Sequence, residues 1–150
     1  MNGEEFKVVK VSNKEEWEKA YAIRVQVFVK EQKVPQENEL DELDPECLHW
    51  MVLTKDGNAV GTLRLYVDPL GKKGKLGRMA VLKEYRRRGI GKMLIQELVE
   101  HAKEFTDIQK IVCHAQQYIQ DFYIYCGFTV ESTEIFMEEG IPHVLMTRVI

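Results

Sequence analysis

The sequence is poor in cysteine, has no long apolar run and carries no excess of basic charge. Its three cysteines, Cys47, Cys113 and Cys126, are odd in number and far apart. This excludes a small disulfide scaffold, and the lack of a C-x-x-C spacing excludes the common zinc and redox motifs. Buried free thiols in a reducing compartment, the cytoplasm, are the expectation. No apolar stretch approaches the roughly 18 residues a membrane span needs. The start, Met1-Asn2-Gly3-Glu4-Glu5-Phe6, is acidic and lacks the apolar core of a signal peptide. No membrane association is therefore expected. The net charge is −3, so the chain as a whole does not attract nucleic acid or an anionic bilayer. His49, His114 and His143 show no metal-ligand spacing, and no metal is expected.

What is present suits one ordinary domain spanning residues 1–150. The 150 residues, 45% hydrophobic and 30% charged, are enough to bury a core without disulfides or a structural metal. Charge is unevenly placed. Residues 31–46 hold Glu31, Glu37, Glu39, Asp41, Glu42, Asp44 and Glu46 against Lys33. Residues 72–92 hold Lys72, Lys73, Lys75, Arg78, Lys83, Arg86, Arg87, Arg88 and Lys92 against Glu84. One acidic and one basic segment predict a cationic ligand at one place and an anionic one at another.

The hydrophobic period changes along the chain. Phe6–Val11 reads as a short strand. Ser12 or Asn13 caps a helix over residues 14–30, with Trp17, Tyr21 and Phe28 at helical spacing. Residues 35–46 read as an acidic loop. His49–Thr54 and Ala59–Val67, joined by Lys55-Asp56-Gly57-Asn58, read as a hairpin. After a turn marked by Pro69, Gly71 and Gly74, Lys75–Leu82 completes a meander. A helix over residues 90–104, a strand at Ile108–His114, a short helix over 117–126 closed by Gly127, and strands at Phe128–Thr133 and His143–Val149 follow. This order describes one α/β (α+β) domain with a mixed sheet.

The chemically informative unit is a strand, then Arg86-Arg87-Arg88-Gly89-Ile90-Gly91, then a helix. Glycine lets the chain turn tightly and bring backbone N–H groups close to a ligand. The first N–H groups of a helix have no internal partner and favour an anion, so the unit suits a diphosphate. It lacks the hydroxyl and earlier glycine of a Walker A loop and the spacing of a dinucleotide fingerprint. A three-residue basic run on an acidic chain is also a poor nucleic-acid site.

Taken together, the motifs resemble the GNAT N-acetyltransferase superfamily. Arg86-x-x-Gly89-x-Gly91 after Arg78-Met79-Ala80-Val81 resembles its acetyl-CoA motif, and Phe122-Tyr123-Ile124-Tyr125-Cys126-Gly127-Phe128 its Phe-Tyr-x-x-x-Gly-Phe. Arg24-x-x-Val27-Phe28-Val29-x-Glu31-Gln32-x-Val34-Pro35, Glu39-x-Asp41-x-x-Asp44, His49, His114-Ala115-Gln116 and Gly140-Ile141-Pro142-His143 resemble the small ElaA/YjcF-like branch.

The resemblance implies a mixed, mostly antiparallel sheet of about six to seven strands, splayed in the middle and flanked by about four helices. It implies acetyl-CoA as co-substrate, with the pyrophosphate on the backbone of Arg86, Arg87, Arg88, Gly89, Ile90 and Gly91, beside Lys92. Met79, Ala80 and Val81 would pair with pantetheine. Gln116 stands where the family often has an asparagine, and Phe122 is a further coenzyme contact. Tyr123 matches the general acid that protonates the leaving thiolate, while Tyr125, about 200° away on a helix, is the weaker candidate. Glu31, Glu37 and Asp41 are the candidate bases, Glu31 foremost, and His49, His114 and His143 are further ones. Phe28, Glu31, Gln32, Glu37, Asp41 and His114 are the expected acceptor contacts. The acceptor is a small-molecule or peptide amine. The alternative is a sensor that binds acyl-CoA without turnover. A homodimer, where one forms, would use the last strands.

Overall fold

The computed structural model describes residues 5–68, 70 and 72–150. Met1–Glu4 and the turn residues Pro69 and Gly71 lie outside the described residues. Among the described residues there are eight strands and four α-helices: β1 (Phe6–Lys10), α1 (Lys14–Arg24), α2 (Gln36–Glu39), β2 (Leu48–Thr54), β3 (Ala59–Asp68), β4 (Lys73–Val81), α3 (Ile90–Phe105), β5 (Lys110–Gln116), α4 (Gln120–Tyr125), β6 (Thr129–Val130), β7 (Phe136–Glu138) and β8 (Ile141–Val149). Among the described residues, no helix is long and apolar enough to cross a membrane.

The chain forms two compact units. The first holds the described residues up to Leu65 together with Arg78–Leu98; the second holds Tyr66–Gly77 and Val99–Ile150. Strands β3 and β4 and helix α3 run through both. The hydrogen-bonded order is β1-β2-β3-β4 in the first unit and β4-β5-β8-β6, with β7 also on β8, in the second. The β1–β2, β2–β3, β5–β8, β6–β8 and β7–β8 pairs are antiparallel. The β4–β5 pair is parallel and its ladder covers only Lys73–Leu76 against Lys110–Cys113. Two residues past Leu76, Arg78 has φ 50, a left-handed excursion that breaks the extended path of β4. The sheet is mixed and mostly antiparallel, as the resemblance implies, with eight strands among the described residues where about six to seven are expected.

In the first unit, Asn13 caps α1 by accepting the Glu16 N–H at 2.9 Å, while the Glu16 carboxylate accepts the Ser12 N–H at 2.8 Å. These reciprocal bonds satisfy donors the helix leaves open. The expected helix over 14–30 is not α throughout. From Val25 to Glu31 it widens into a π-helix, with the Gln32 N–H reaching Val27 O. Val25, Val27 and Val29 put a β-branched side chain at every second position, which weakens α-helical packing there. Ile23 and Val27 pack on Ala80 with Phe28, Ala59 and Leu82 around them. Over β3, helix α3 comes so close at Gly61 that a Cβ there would lie 2.8 Å from Ile90 Cγ2.

In the second unit, β5 and β8 pair over seven residues, Lys110↔Val149 to Gln116↔His143. The short helix divides into a 3-10 turn, Gln117–Ile119, and α4. Gly127, at φ 94, closes α4 with its N–H on Ile124 O and the next N–H on Tyr123 O, the paired bonds of a Schellman cap. The strand expected at Phe128–Thr133 pairs only at Thr129–Val130. Ser132 turns the chain by accepting the Glu134 N–H, and the added strand β7 follows.

Candidate functional site

The basic loop sits at the end of β4. A 3-10 turn, Lys83–Tyr85, leads into it. Arg87 has φ 65 and Gly89 φ 82, so the backbone twice enters the left-handed region before α3 begins. Gly89 O accepts the Met93 N–H at 3.0 Å, a bond of the first turn of α3, where backbone N–H groups point outward along the helix axis. The first turn of α3 carries no acidic residue. Arg87 and Arg88 are exposed, and the Arg88 guanidinium lies 5.1 Å from the Tyr85 ring centre. Met79 and Val81 are half-buried and Ala80 is buried.

Arg86 does something the motif alone does not show. Its Nε–H donates to Val81 O at 2.9 Å, and its two terminal nitrogens hold both Glu31 oxygens at 2.7 and 2.8 Å. The guanidinium fork thus ties the loop to the end of β4 and to the end of the π-helix. The Arg86 hydrogen bonds hold the Glu31 carboxyl below the usual carboxylate range. That makes Glu31 a weaker base than an ordinary glutamate, and both its oxygens are engaged.

The acidic segment is largely neutralised from within. Arg24, 1% exposed, donates from Nε to Glu39 Oε1 at 2.6 Å, from one terminal nitrogen to Asp44 Oδ1 at 2.8 Å, and from the other to Glu39 O at 2.9 Å and Asp44 Oδ2 at 3.0 Å. Arg64 binds Asp41 through both terminal nitrogens, at 2.7 and 2.9 Å, and reaches Asp44 Oδ1 at 2.9 Å. Arg78 donates to Glu39 O and Asp41 Oδ2, both at 3.2 Å. Three carboxylates meet three guanidiniums.

Burial alone would raise the Asp44 pKa. The Arg24 hydrogen bond, the Asp41 N–H and the Arg24 and Arg64 charges outweigh it and hold the group far below its usual range. Arg64 lowers Asp41 likewise. The expectation that Asp41 attracts a cationic acceptor meets this geometry: its charge is spent on Arg64 and Arg78. Glu37 is exposed on α2, and Gln32 and Phe28 are half-buried. His49 is buried, its Nε2–H donates to Asp44 O at 3.0 Å, and burial lowers its pKa.

In the second unit, Tyr123 is buried, with the rings of Phe122 and Phe128 edge-on at 5.3 and 5.7 Å. Burial raises the phenol's pKa above its ordinary value, so it stays protonated at neutral pH. Tyr125 is 69% exposed, on the far side of α4. His114 and Gln116 are half-buried at the end of β5. The His114 ring faces Glu138 on β7, with Nδ1 2.5 Å from Oε1.

Glu138 was not expected as a site residue. The period-two spacing of Phe136 and Glu138 just before the Gly140 turn was the available signal. Arg24 is one of the matched motif residues, but the motif does not show its partners, and Arg64 is signalled only by a lone charge between Leu63 and Leu65. Among the described residues, no group of three or more His, Cys, Asp or Glu side chains is arranged to hold a metal.

Residues 13–128 match the model of the "Acetyltransferase (GNAT) family". The chain is 36% identical over 144 residues to YjcF of Bacillus subtilis (strain 168), described as an uncharacterized N-acetyltransferase, covering 95% of this chain and 99% of that protein. It is similar in structure to an acyl-CoA N-acyltransferase from Pseudomonas aeruginosa, with TM-score 0.80, 28% identity, and 97% and 99% of the two chains covered. Escherichia coli ElaA shares the fold, with TM-score 0.80 at 24% identity over 97% and 99% of the two chains.

Proposed function

The chain belongs to the GNAT family of acetyltransferases, and from that premise we propose that it moves the acetyl group of acetyl-CoA to a primary amine by direct attack. Acyl transfer is the chemistry of the family. The observation that carries the finer reading is the loop before α3: two left-handed residues, Arg87 and Gly89, then a helix start with no acidic side chain. Such a start offers backbone donors and a positive dipole end to a diphosphate.

The donor's pyrophosphate is assigned to Arg86–Gly91 and Lys92, and pantetheine to the Met79–Val81 edge and Gln116. Arg86 acts chiefly by fixing the loop, since its fork is engaged by Glu31 and Val81. Tyr123 is the acid. A phenol kept neutral by burial retains its proton until a thiolate forms beside it. Phe122 braces its ring. Direct attack is favoured over an acetyl-cysteine intermediate because burial pushes the Cys113 thiol up to about 12 and raises Cys47 as well, leaving little thiolate. The acceptor is a primary amine of a small molecule or a peptide, with Phe28, Gln32, Glu37 and His114 as its contacts.

Incubation with acetyl-CoA and a panel of polyamines, arylalkylamines and lysine peptides tests this. Free thiol and an acetylated product of matching mass are expected. Tyr123→Phe should lower kcat by about 10²–10⁴-fold while the Kd for acetyl-CoA stays within threefold. Tight acetyl-CoA binding with no thiol released from any amine would instead identify a sensor of acyl-CoA.

A further inference from the structure

One face of the last strands carries a pair of groups that the acid Tyr123 leaves unexplained. In an antiparallel ladder, directly opposed residues share a face, and so do alternate residues along a strand. The β5–β8 and β7–β8 registers therefore gather His114, Gln116, His143, Phe136 and Glu138 on one face. Cys113 precedes His114 and points the other way, and its thiol belongs to the surroundings of the Tyr123 phenol. Tyr123 and His114 thus stand on opposite faces of β5.

The tautomer of His114 follows from its partner. The His114 hydrogen bond holds the Glu138 carboxyl below its usual range, so at neutral pH Glu138 only accepts. The shared proton sits on Nδ1, and the neutral ring carries its lone pair on Nε2. Phe136 braces the ring edge-on at 5.0 Å. The side chain remains 32% exposed, which leaves room for an approaching amine. A carboxylate that holds one ring nitrogen also fixes the ring's orientation and so aims the other.

The other histidines do not offer this. The His143 Nδ1–H donates to Ile141 O at 2.7 Å, its ring stacks on Phe136, and its side chain is 9% exposed. His49 is buried with its Nε2–H on a carbonyl.

We propose that His114 is the general base that takes the proton from the acceptor's ammonium group and that Glu138 is its positioning residue, an inference that rests on the transferase reading above. The ammonium N–H bond breaks as its proton moves to Nε2. The freed lone pair forms the C–N bond at the thioester carbonyl. On collapse the C–S bond breaks, and the sulfur takes the Tyr123 hydroxyl proton. The excess proton on the new amide nitrogen restores the phenol, and the imidazolium gives its proton to solvent. One proton is released per turnover.

Thiol release from one accepted amine, followed between pH 5.5 and 9.5, tests the pair. His114→Asn keeps an N–H towards Glu138 and removes Nε2. It should lower kcat/KM for the amine by about 10²–10⁴-fold, with the Kd for acetyl-CoA and the Tm unchanged. Glu138→Gln removes the negative charge facing the ring from β7, while His143 on β8 and Lys75 on β4, whose charge also acts on Glu138, stay in place. The ring then loses the partner that orients it, and kcat should fall by about 10–100-fold while the KM for the amine stays within threefold. Activity of His114→Asn within threefold of wild type, or a kcat within threefold of wild type in Glu138→Gln, overturns the assignment. If His114→Asn does not fold, the split of kcat against KM in Glu138→Gln decides alone. Wild-type protein that releases no thiol with any amine overturns the transferase reading and this inference together. Turnover that survives His114→Asn overturns only the inference.

Discussion

Replacing Arg24 by methionine removes the cation at the centre of the first unit's ion-pair cluster while keeping most of the side-chain volume. Four hydrogen bonds go with it, three to carboxylate oxygens and one to Glu39 O. Summing charged hydrogen bonds would overstate the loss, because they share one group and replace bonds to water. A better measure is the cost of leaving a buried charge without its partner, about 3–5 kcal/mol. Arg64 still reaches Asp44 at 2.9 Å, and Arg78 stays 3.4 Å from Glu39, so the lower end, about 3 kcal/mol, applies. That is a large share of an ordinary domain's stability, about 5–15 kcal/mol.

Urea unfolding read by tryptophan fluorescence measures this loss. Trp50 is buried, and the Trp17 ring centre lies 5.6 Å from the Arg24 guanidinium carbon. The pH dependence gives a second reading. Asp44 has a depressed pKa, so its contribution is complete above its unfolded value, about 3.9, and is lost as pH falls through the folded value. Arg24 supplies much of that depression. The gap between wild type and Arg24→Met should therefore be widest at neutral pH and narrow below about pH 4. A loss under about 1 kcal/mol, the scale of an exposed pair, or a gap constant from pH 7 to pH 3, would refute the reasoning.

Two further outcomes follow from the donor loop. Glu31→Gln frees Arg86 from a half-exposed pair worth at most about 1 kcal/mol; the KM for acetyl-CoA should rise up to about fivefold with kcat nearly unchanged, and a hundredfold loss of kcat would restore Glu31 as the base. Gly61→Ala forces a Cβ against Ile90 at the start of α3; chemical unfolding should show a loss of about 1–3 kcal/mol together with a raised KM for acetyl-CoA, and a neutral result in both would show that the contact relaxes freely.

The sequence made some parts legible because their signals are local. The Asp56-Gly57 hairpin, the switch from period two to a helical period at Ile90, and Gly127 after α4 each depend on neighbouring residues. The divided helix at Val25 was not legible, since a π-helix keeps the same apolar residues and changes only their phase. Strand β7 is hard to read because its alternation spans only three residues. The site shows the same contrast. Gly89 and Gly91 announce a ligand loop through their own chemistry, whereas Glu138 becomes interesting only once β8 brings it to His114, twenty-four positions away. The acidic run looks from sequence like a field directed outward, because charge along a chain carries no sign of which arginines will face it.

The three-by-three cluster of carboxylates and guanidiniums also bears on how this protein can change. Its acids lie together between Glu39 and Asp44, but its bases come from α1, β3 and β4. The segment is therefore not an exchangeable module: moved into a relative without Arg24, Arg64 and Arg78, it would bring buried anions with no counterions. Substitutions that keep the fold would then fall on exposed positions of the segment such as Glu37 and Glu42, with the cluster inherited as a single unit.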